Sequence, residues 1–235
     1  MSIENTPTYS DRIEDEIIVP WSLHEILFGL ASVVLLSIVG VSVAYRWPAT
    51  TNIVVVVYEL AYVFPVLVVL LFKQVRPEIL GFRSFTLKNL AIGCGLLFGA
   101  YLIIMVHNLL LLSFGIAPQG EYLTELFNAD EDFWVLVFVG VIIAPLAEEI
   151  FFRGFLFSGF RQKYGWKRAA LLSATLFSVA HLQLVVLIPT FLMGFVLAYL
   201  FHRSKSIWPG VILHLAVNAF TFGVIYFLSF LETFL

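Results

Sequence analysis

From residue 24 onward the chain is a succession of apolar runs, most of them close to the ~20 residues a helix needs to cross bilayer hydrocarbon. The runs occupy 24–45, 53–72, 88–114, 133–159, 169–187, 189–202 and 207–231. None alternates with period two, which argues against barrel strands and leaves helices, whose backbone groups are all satisfied internally. Composition agrees: 61% of residues are hydrophobic, 12% are charged and the mean hydropathy is +0.99, whereas a soluble domain is nearer one half apolar. The expected fold is all-α, a polytopic transmembrane bundle of about seven spans (six to eight). Segment 189–202 is short for a full crossing and is expected to tilt or insert only in part. Short loops and the absence of an internal repeat favour a single bundle.

The head, Met1 to Pro20, carries Asp11-Arg12-Ile13-Glu14-Asp15-Glu16. It lacks a basic n-region and a short apolar core, so a solvated tail is expected rather than a cleavable signal. The single cysteine, Cys94, allows no internal disulfide and no cysteine-based zinc site, and is expected to be a small buried apolar residue. Net charge of −3 is sorted by loop rather than spread, and no nucleic-acid partner is expected. The bilayer is the expected environment.

Basic residues orient the spans. Loop 72–88 holds Lys73, Arg76, Arg83 and Lys88, loop 160–168 holds Arg161, Lys163, Lys167 and Arg168, and loop 203–206 holds Arg203 and Lys205; these three are expected on the cytoplasmic side. Loop 115–132 has no Lys or Arg but carries Glu121, Glu125, Asp130, Glu131 and Asp132, and loop 46–52 has only Arg46. The N-terminal tail is then cytoplasmic.

Against this background, Glu148 and Glu149 stand out. Two adjacent carboxylates at the end of an apolar run need a partner, a wet cavity or a job. Two later runs answer with His181, and with His214 and Asn218. Glu148 lies ~20 Å along its helix from the basic loop and His181 ~20 Å on the other side of it, while His214 and Asn218 lie roughly 10 and 16 Å into the last span. All four can meet at one depth, in the cytoplasmic half or near the midplane. Glu149 and Arg153 are i and i+4 in the favourable order for a helical ion pair, and Glu148 points about 100° away. One glutamate can thus be neutralised while its neighbour stays free to handle protons. Phe177 and His181 share a helix face, as do His214 and Asn218.

The stretches Glu148-Glu-Ile-Phe-Phe-Arg153, Phe177-Ser-Val-Ala-His181 and His214-Leu-Ala-Val-Asn218 match in order and spacing the motifs EExxxR, FxxxH and HxxxN. In these the chain resembles the CPBP family, the CAAX-processing and bacteriocin-processing intramembrane endopeptidases related to Rce1. The resemblance divides the chain into an acidic cytoplasmic tail at 1–22, variable N-terminal transmembrane helices at 23–87 and a protease core at 88–235. It implies hydrolysis of a peptide bond in a membrane-associated protein or peptide substrate, prenylated or a peptide precursor. Glu148 would activate water with help from His181, and His214 with Asn218 would stabilise the oxyanion. Glu149, Arg153 and Phe177 would support the site. A desolvated carboxylate is a competent base near neutrality, and oxyanion donors in a low-dielectric site contribute about 3 to 4 kcal/mol each.

The family has also been described as metal-dependent, and Glu148, His181 and His214 would make an open zinc site with water as fourth ligand. The chain has no HExxH, and the preferred mechanism uses no cofactor, with zinc as the alternative. Two other readings of the chain as a whole are a non-catalytic scaffold or bacteriocin-immunity factor, and a transporter built around Glu59.

The remaining polar residues carry plainer expectations. Glu59 is expected to bond a tyrosine or a neighbouring helix, and His107 with Asn108 to contact another helix. His24 and His202 lie near span ends. Trp21, Trp47, Trp134 and Trp208 fall near boundaries, as an aromatic belt would. Pro145 should loosen its helix, Pro189 and Pro209 mark helix starts, and Gly154, Gly159 and Gly194 suit close helix packing. The charge asymmetry predicts that a cysteine placed in loop 160–168 of intact cells reacts with a membrane-impermeant maleimide only after lysis, and one in loop 115–132 without it. Labelling of the first from outside would invert the topology.

Overall fold

The structure, a computed structural model, describes residues 18–47, 51–117 and 133–232. Residues 1–17 of the tail, expected above to be a solvated segment, and 118–132 of the acidic loop, used above for orientation, lie outside them. Helix α1 (Leu23–Arg46) starts at a capping box in which the Ser22 hydroxyl accepts from the backbone and the Ser22 N–H donates to Glu25 Oε2 at 2.7 Å. Glu25 Oε1 also pairs with Lys73 Nζ at 2.6 Å, tying the start of α1 to the end of α2 (Thr51–Lys73), so the two run antiparallel. A 3₁₀ turn, Pro77–Leu80, leads to α3 (Leu87–Ser113).

The next helix begins at Phe133 and changes register four times, through α (Phe133–Phe138), π (Val139–Ile143), α (Ala144–Glu148) and π (Glu149–Phe157), before entering Ser158–Ala180. Its apolar stretch Trp134–Ala180 is 47 residues long. At 1.5 Å per residue that is ~70 Å, more than twice the ~30 Å hydrocarbon core. Gly165, at φ 74° and ψ 164°, resolves the conflict by breaking the helix axis. Residues 133–164 are α4 and residues 166–180 are α5. The loop expected over 160–168 is therefore helical on both sides of a single glycine, whose conformation is essentially closed to other residues.

Helix α5 stops at Ala180 instead of running to 187, because Leu182 turns left-handed (φ 54°) and its N–H caps Val179. A short 3₁₀ turn (Leu184–Val186) leads to α6, which starts at Leu187 and runs 18 residues to Ser204. At ~27 Å it is longer than the expected 189–202. Helix α7 is Trp208–Glu232, with Pro209 in its first turn. Among the described residues six helices are long and apolar enough to cross a membrane, and the break in the longest brings the count to about the expected seven. The chain is an integral, multi-pass membrane protein.

Helix α4 is the centre of the bundle: half of its apolar window is buried, against 11% for α1 and 17% for α3. Phe151, Phe152, Phe155, Leu156 and Phe157 are buried and meet Phe177 of α5 and Phe201 of α6. The outward faces of α1 and α3 present Leu, Ile, Val and Phe side chains, as lipid contact requires. Glycines let the helices close. A Cβ on Gly159 would lie 2.6 Å from Ile26 Cδ1, one on Gly154 3.0 Å from the Leu80 carbonyl, and one on Gly194 3.0 Å from Phe177.

Two further expectations change. Trp21 is not at an interface: it is 3% exposed, and its indole N–H donates to the Phe155 carbonyl at 3.1 Å, with the ring tilted against Phe155. It and buried Val19 belong to the packed bundle although they precede the first span. Cys94 is exposed on α3 rather than buried, since its face of that helix turns outward. The break at Gly165 yields a test. A Cβ there meets nothing within 4 Å, so Gly165→Ala should destabilise by about 1–3 kcal/mol through backbone strain alone, read as a lowered Tm in detergent. An unchanged Tm would mean the break does not depend on glycine.

Candidate active site

The site begins with a hydrogen bond that the helix cannot make. In the π segment of α4 each N–H reaches back five residues, as Ala144 N–H does to the Val139 carbonyl. Next in that register is residue 145, which should donate to the Gly140 carbonyl, but it is proline and has no N–H. Asn218 of α7 supplies the donor instead: its Nδ2 lies 2.8 Å from Gly140 O. An unsatisfied acceptor on one helix and an amide on another thus join α4 to α7 about two turns before the glutamates. Gly140 also carries the Phe222 ring, since a Cβ there would lie 2.6 Å from Phe222 Cζ.

The paired glutamate is buried. Glu149 Oε1 lies 2.7 Å from Arg153 Nη1, with both side chains at most 1% exposed. Arg153 Nη2 donates to the Gly194 carbonyl of α6 at 3.2 Å, and the guanidinium sits 4.5 Å from the centre of the Phe177 ring. The other oxygen, Glu149 Oε2, faces the first turn of α7, where a Cβ on Gly210 would come within 2.7 Å of it. A helix N-terminus favours a negative charge. Arg153 thereby ties α4 to α6, and Glu149 sets α4 against α7.

Glu148 faces the other way, into a cavity of about 560 Å³ that is also lined by His181, His214 and Asn218. The four residues expected to meet at one depth do meet there. Glu149, Arg153 and Phe177 lie behind the wall. His214 Nε2 is 3.6 Å from Glu148 Oε2 and its Nδ1 is 3.4 Å from Glu149 Oε1, so the ring stands between the two carboxylates, within charge contact but long for a hydrogen bond to Glu148. His181 Nδ1 lies 2.8 Å from the Phe177 carbonyl. A carbonyl can only accept, so that nitrogen carries the proton and Nε2 is left as the ring's acceptor when neutral. Phe177 meets both imidazoles edge to face, at 4.9 and 5.7 Å between centroids, and so sets the orientation of the pair.

Glu148, His181 and His214 share the cavity, yet among the described residues no group of three His, Cys, Asp or Glu side chains is placed to hold one metal ion. His181 Nδ1 is engaged by a backbone carbonyl, and both nitrogens of His214 face carboxylates.

Several contributors were not expected. Gly210 and Gly140 matter for what they leave out, which no local sequence pattern announces. Glu59, Tyr58 and Tyr62 of α2 and Asn108 of α3 line the same cavity. The tyrosine hydroxyls bond each other at 3.2 Å rather than Glu59, and Tyr62 packs against Phe151 and Phe152. His107 bonds its neighbour Asn108 at 3.2 Å rather than another helix.

Fold and site define a polytopic helical membrane protein with a buried glutamate and histidine centre. Residues 130–220 match the family described as type II CAAX prenyl endopeptidase Rce1-like. This segment contains all three motifs, and over it the chain is similar to that family. Similar curated proteins include "Putative membrane peptidase YdiL" of Bacillus subtilis (strain 168), 32% identical over 107 residues, 46% of this chain and 44% of that protein. An uncharacterized 24.3 kDa protein of Escherichia coli is 33% identical over 143 residues, 57% of this chain and 64% of that protein. UPF0177 protein YxdF of Lactococcus lactis subsp. lactis (strain IL1403) is 31% identical over 80 residues, 34% and 44% of the two chains. The chain spans about half the length of these curated relatives. No solved structure matches it.

The seat of Glu149 on α7 can be probed without touching a charge. Gly210→Ala should destabilise by about 1–3 kcal/mol through overpacking against the carboxylate, seen as a lower Tm. Gly223→Ala on the same helix, where a Cβ meets nothing within 4 Å, should not. Equal behaviour of the two would remove Gly210 from the site.

Proposed function

We propose that the chain is an intramembrane endopeptidase that hydrolyses a peptide bond of a membrane-associated protein or peptide, with water activated by a glutamate. The observation that carries this reading is the division of labour between adjacent carboxylates: Glu149 is consumed by Arg153, and Glu148 opens into a cavity that also holds two histidines and an amide. A buried ion pair needs no cavity, and a general base needs one.

The chemistry follows from the atoms available. A water between Glu148 and His181 Nε2 has an acceptor for each of its protons. Glu148 takes one proton as the oxygen attacks the scissile carbonyl carbon, and negative charge develops on the carbonyl oxygen. His214 Nε2 and the second N–H of Asn218 face the same cavity and stabilise that charge. Collapse of the tetrahedral intermediate breaks the C–N bond, and Glu148 returns its proton to the leaving amine. Phe177, Arg153 and Glu149 act through position alone. Asn218 has a double task, because its first N–H already holds the Gly140 carbonyl.

The family description supports a prenylated C-terminal motif as one substrate class, and the cavity's depth in the bundle supports a membrane-embedded substrate of either kind. The three basic loops support a cytoplasmic N-terminus, with the site on the cytoplasmic side or near the midplane.

The test is proteomic and kinetic. Membrane peptides that accumulate with Glu148→Gln and vanish with wild type identify the substrate. On such a substrate Glu148→Gln should abolish cleavage, and Asn218→Ala should lower kcat about 10²- to 10³-fold with KM nearly unchanged. Cleavage retained by a folded Glu148→Gln protein would remove Glu148 as the base. Elemental analysis decides the zinc alternative. Stoichiometric zinc lost on His214→Ala, with wild-type activity silenced by chelation and restored by zinc, would overturn the metal-free mechanism.

A further inference from the structure

A second carboxylate reaches the cavity from a helix outside the family match. Glu59 lies on α2, and residues 130–220 are the matched segment; yet Glu59 lines the same space as Glu148 and His214. Its Oε2 is shielded from solvent and has no hydrogen-bond partner among the described residues. The tyrosines on either side of it in the helix, which could have donated to it, are paired with each other. No Lys or Arg is among the described residues lining the cavity, and Arg153 faces Glu149 behind its wall. A buried carboxylate oxygen without a partner is unfavourable in such surroundings.

The proposed mechanism leaves Glu59 without a task. Proton transfer is complete with Glu148 and His181, and charge stabilisation with His214 and Asn218. What the cavity lacks is a cation, and what it offers around Glu59 is the environment a cation prefers. Tyr58, Tyr62 and Tyr101 share the lining with the carboxylate, so aromatic rings accompany a formal negative charge. Carboxylate plus tyrosine rings is the pairing that recognises ammonium and guanidinium groups. A neutral ligand would leave Glu59 as costly as before, and an anionic one would meet two glutamates.

We infer that Glu59, with Tyr58 and Tyr62, forms a specificity subsite that binds a basic side chain of the substrate peptide beside the scissile bond. The inference rests on the endopeptidase reading for its substrate, but its central claim is a binding preference and is measured as one. Helix α2 then contributes substrate selection to a site whose chemistry lies on α4, α5 and α7.

The experiment uses the full-length protein in nanodiscs and two fluorescent apolar peptides of equal length, one with a single central lysine and the other with norleucine in its place. Wild type should bind the lysine peptide roughly 10- to 100-fold more tightly, the range for a charge-assisted hydrogen bond. Glu59→Gln should erase that difference by weakening only the lysine peptide, and Glu59→Asp should keep part of it. Butylammonium should compete with the lysine peptide on wild type and not with the norleucine peptide, which needs no variant to fold. No preference in wild type, a preference that survives Glu59→Gln, or equal weakening of both peptides would each overturn the subsite. Cleavage of the same peptides is scored separately. A lysine preference in binding without any cleavage counts against the endopeptidase reading alone, whereas cleavage without the preference counts against the subsite alone.

Discussion

The ion pair of Glu149 and Arg153 is the interaction on which the rest of this molecule depends. Two full charges at most 1% exposed are offset by partners on several sides: the guanidinium by a carboxylate, the Gly194 carbonyl and the Phe177 ring, the carboxylate by the guanidinium and His214, while Glu149 Oε2 and Arg153 Nε have no hydrogen-bond partner among the described residues. Removing one partner from such a pair typically costs 3–5 kcal/mol, more than most single side chains contribute. The pair therefore specifies how α4, α6 and α7 sit together. It also releases Glu148: because one glutamate of the dipeptide is committed to structure, the other can be held in a cavity by the same helix at no further packing cost.

The helix that carries both glutamates is not a regular one. Pro145 would ordinarily leave an acceptor unsatisfied in the bundle, at a cost of about 1–3 kcal/mol. The π register of Val139–Ile143 and the amide of Asn218 absorb it, so a local defect in α4 becomes a contact with α7. The same contact places Asn218, and one turn earlier His214, beside Glu148. Packing and site geometry are thus one set of constraints, and substitutions at Asn218 will be felt in both.

Much of this was legible in the sequence because a membrane simplifies the problem. Apolar run length implied helices, and the agreement in depth of Glu148, His181, His214 and Asn218 implied one site. The i, i+4 spacing of Glu149 and Arg153 implied which carboxylate was spoken for. What could not be read depended on partners far along the chain. Trp21 looked interfacial by position, but its indole finds the Phe155 carbonyl 134 residues away. The span lengths around 160–187 missed the one-residue break at Gly165, which a charged stretch disguised as a loop. Glu59 was visible as an intramembrane acid, yet only the structure shows its tyrosine neighbours bonded to each other. Gly210 acts by lacking a side chain beside a residue 61 positions earlier, which no spacing rule encodes.

The central claim is that adjacent glutamates carry separate duties, one holding the bundle and one facing the cavity. Equilibrium unfolding of Glu148→Gln, Glu149→Gln, Arg153→Met and the 149/153 double variant measures this directly, independent of any substrate. The account predicts a loss of about 3–5 kcal/mol for Glu149→Gln and for Arg153→Met, a double variant much less destabilised than their sum, and under ~1 kcal/mol for Glu148→Gln. A Glu148→Gln protein as unstable as Glu149→Gln, or additive losses at 149 and 153, would contradict it.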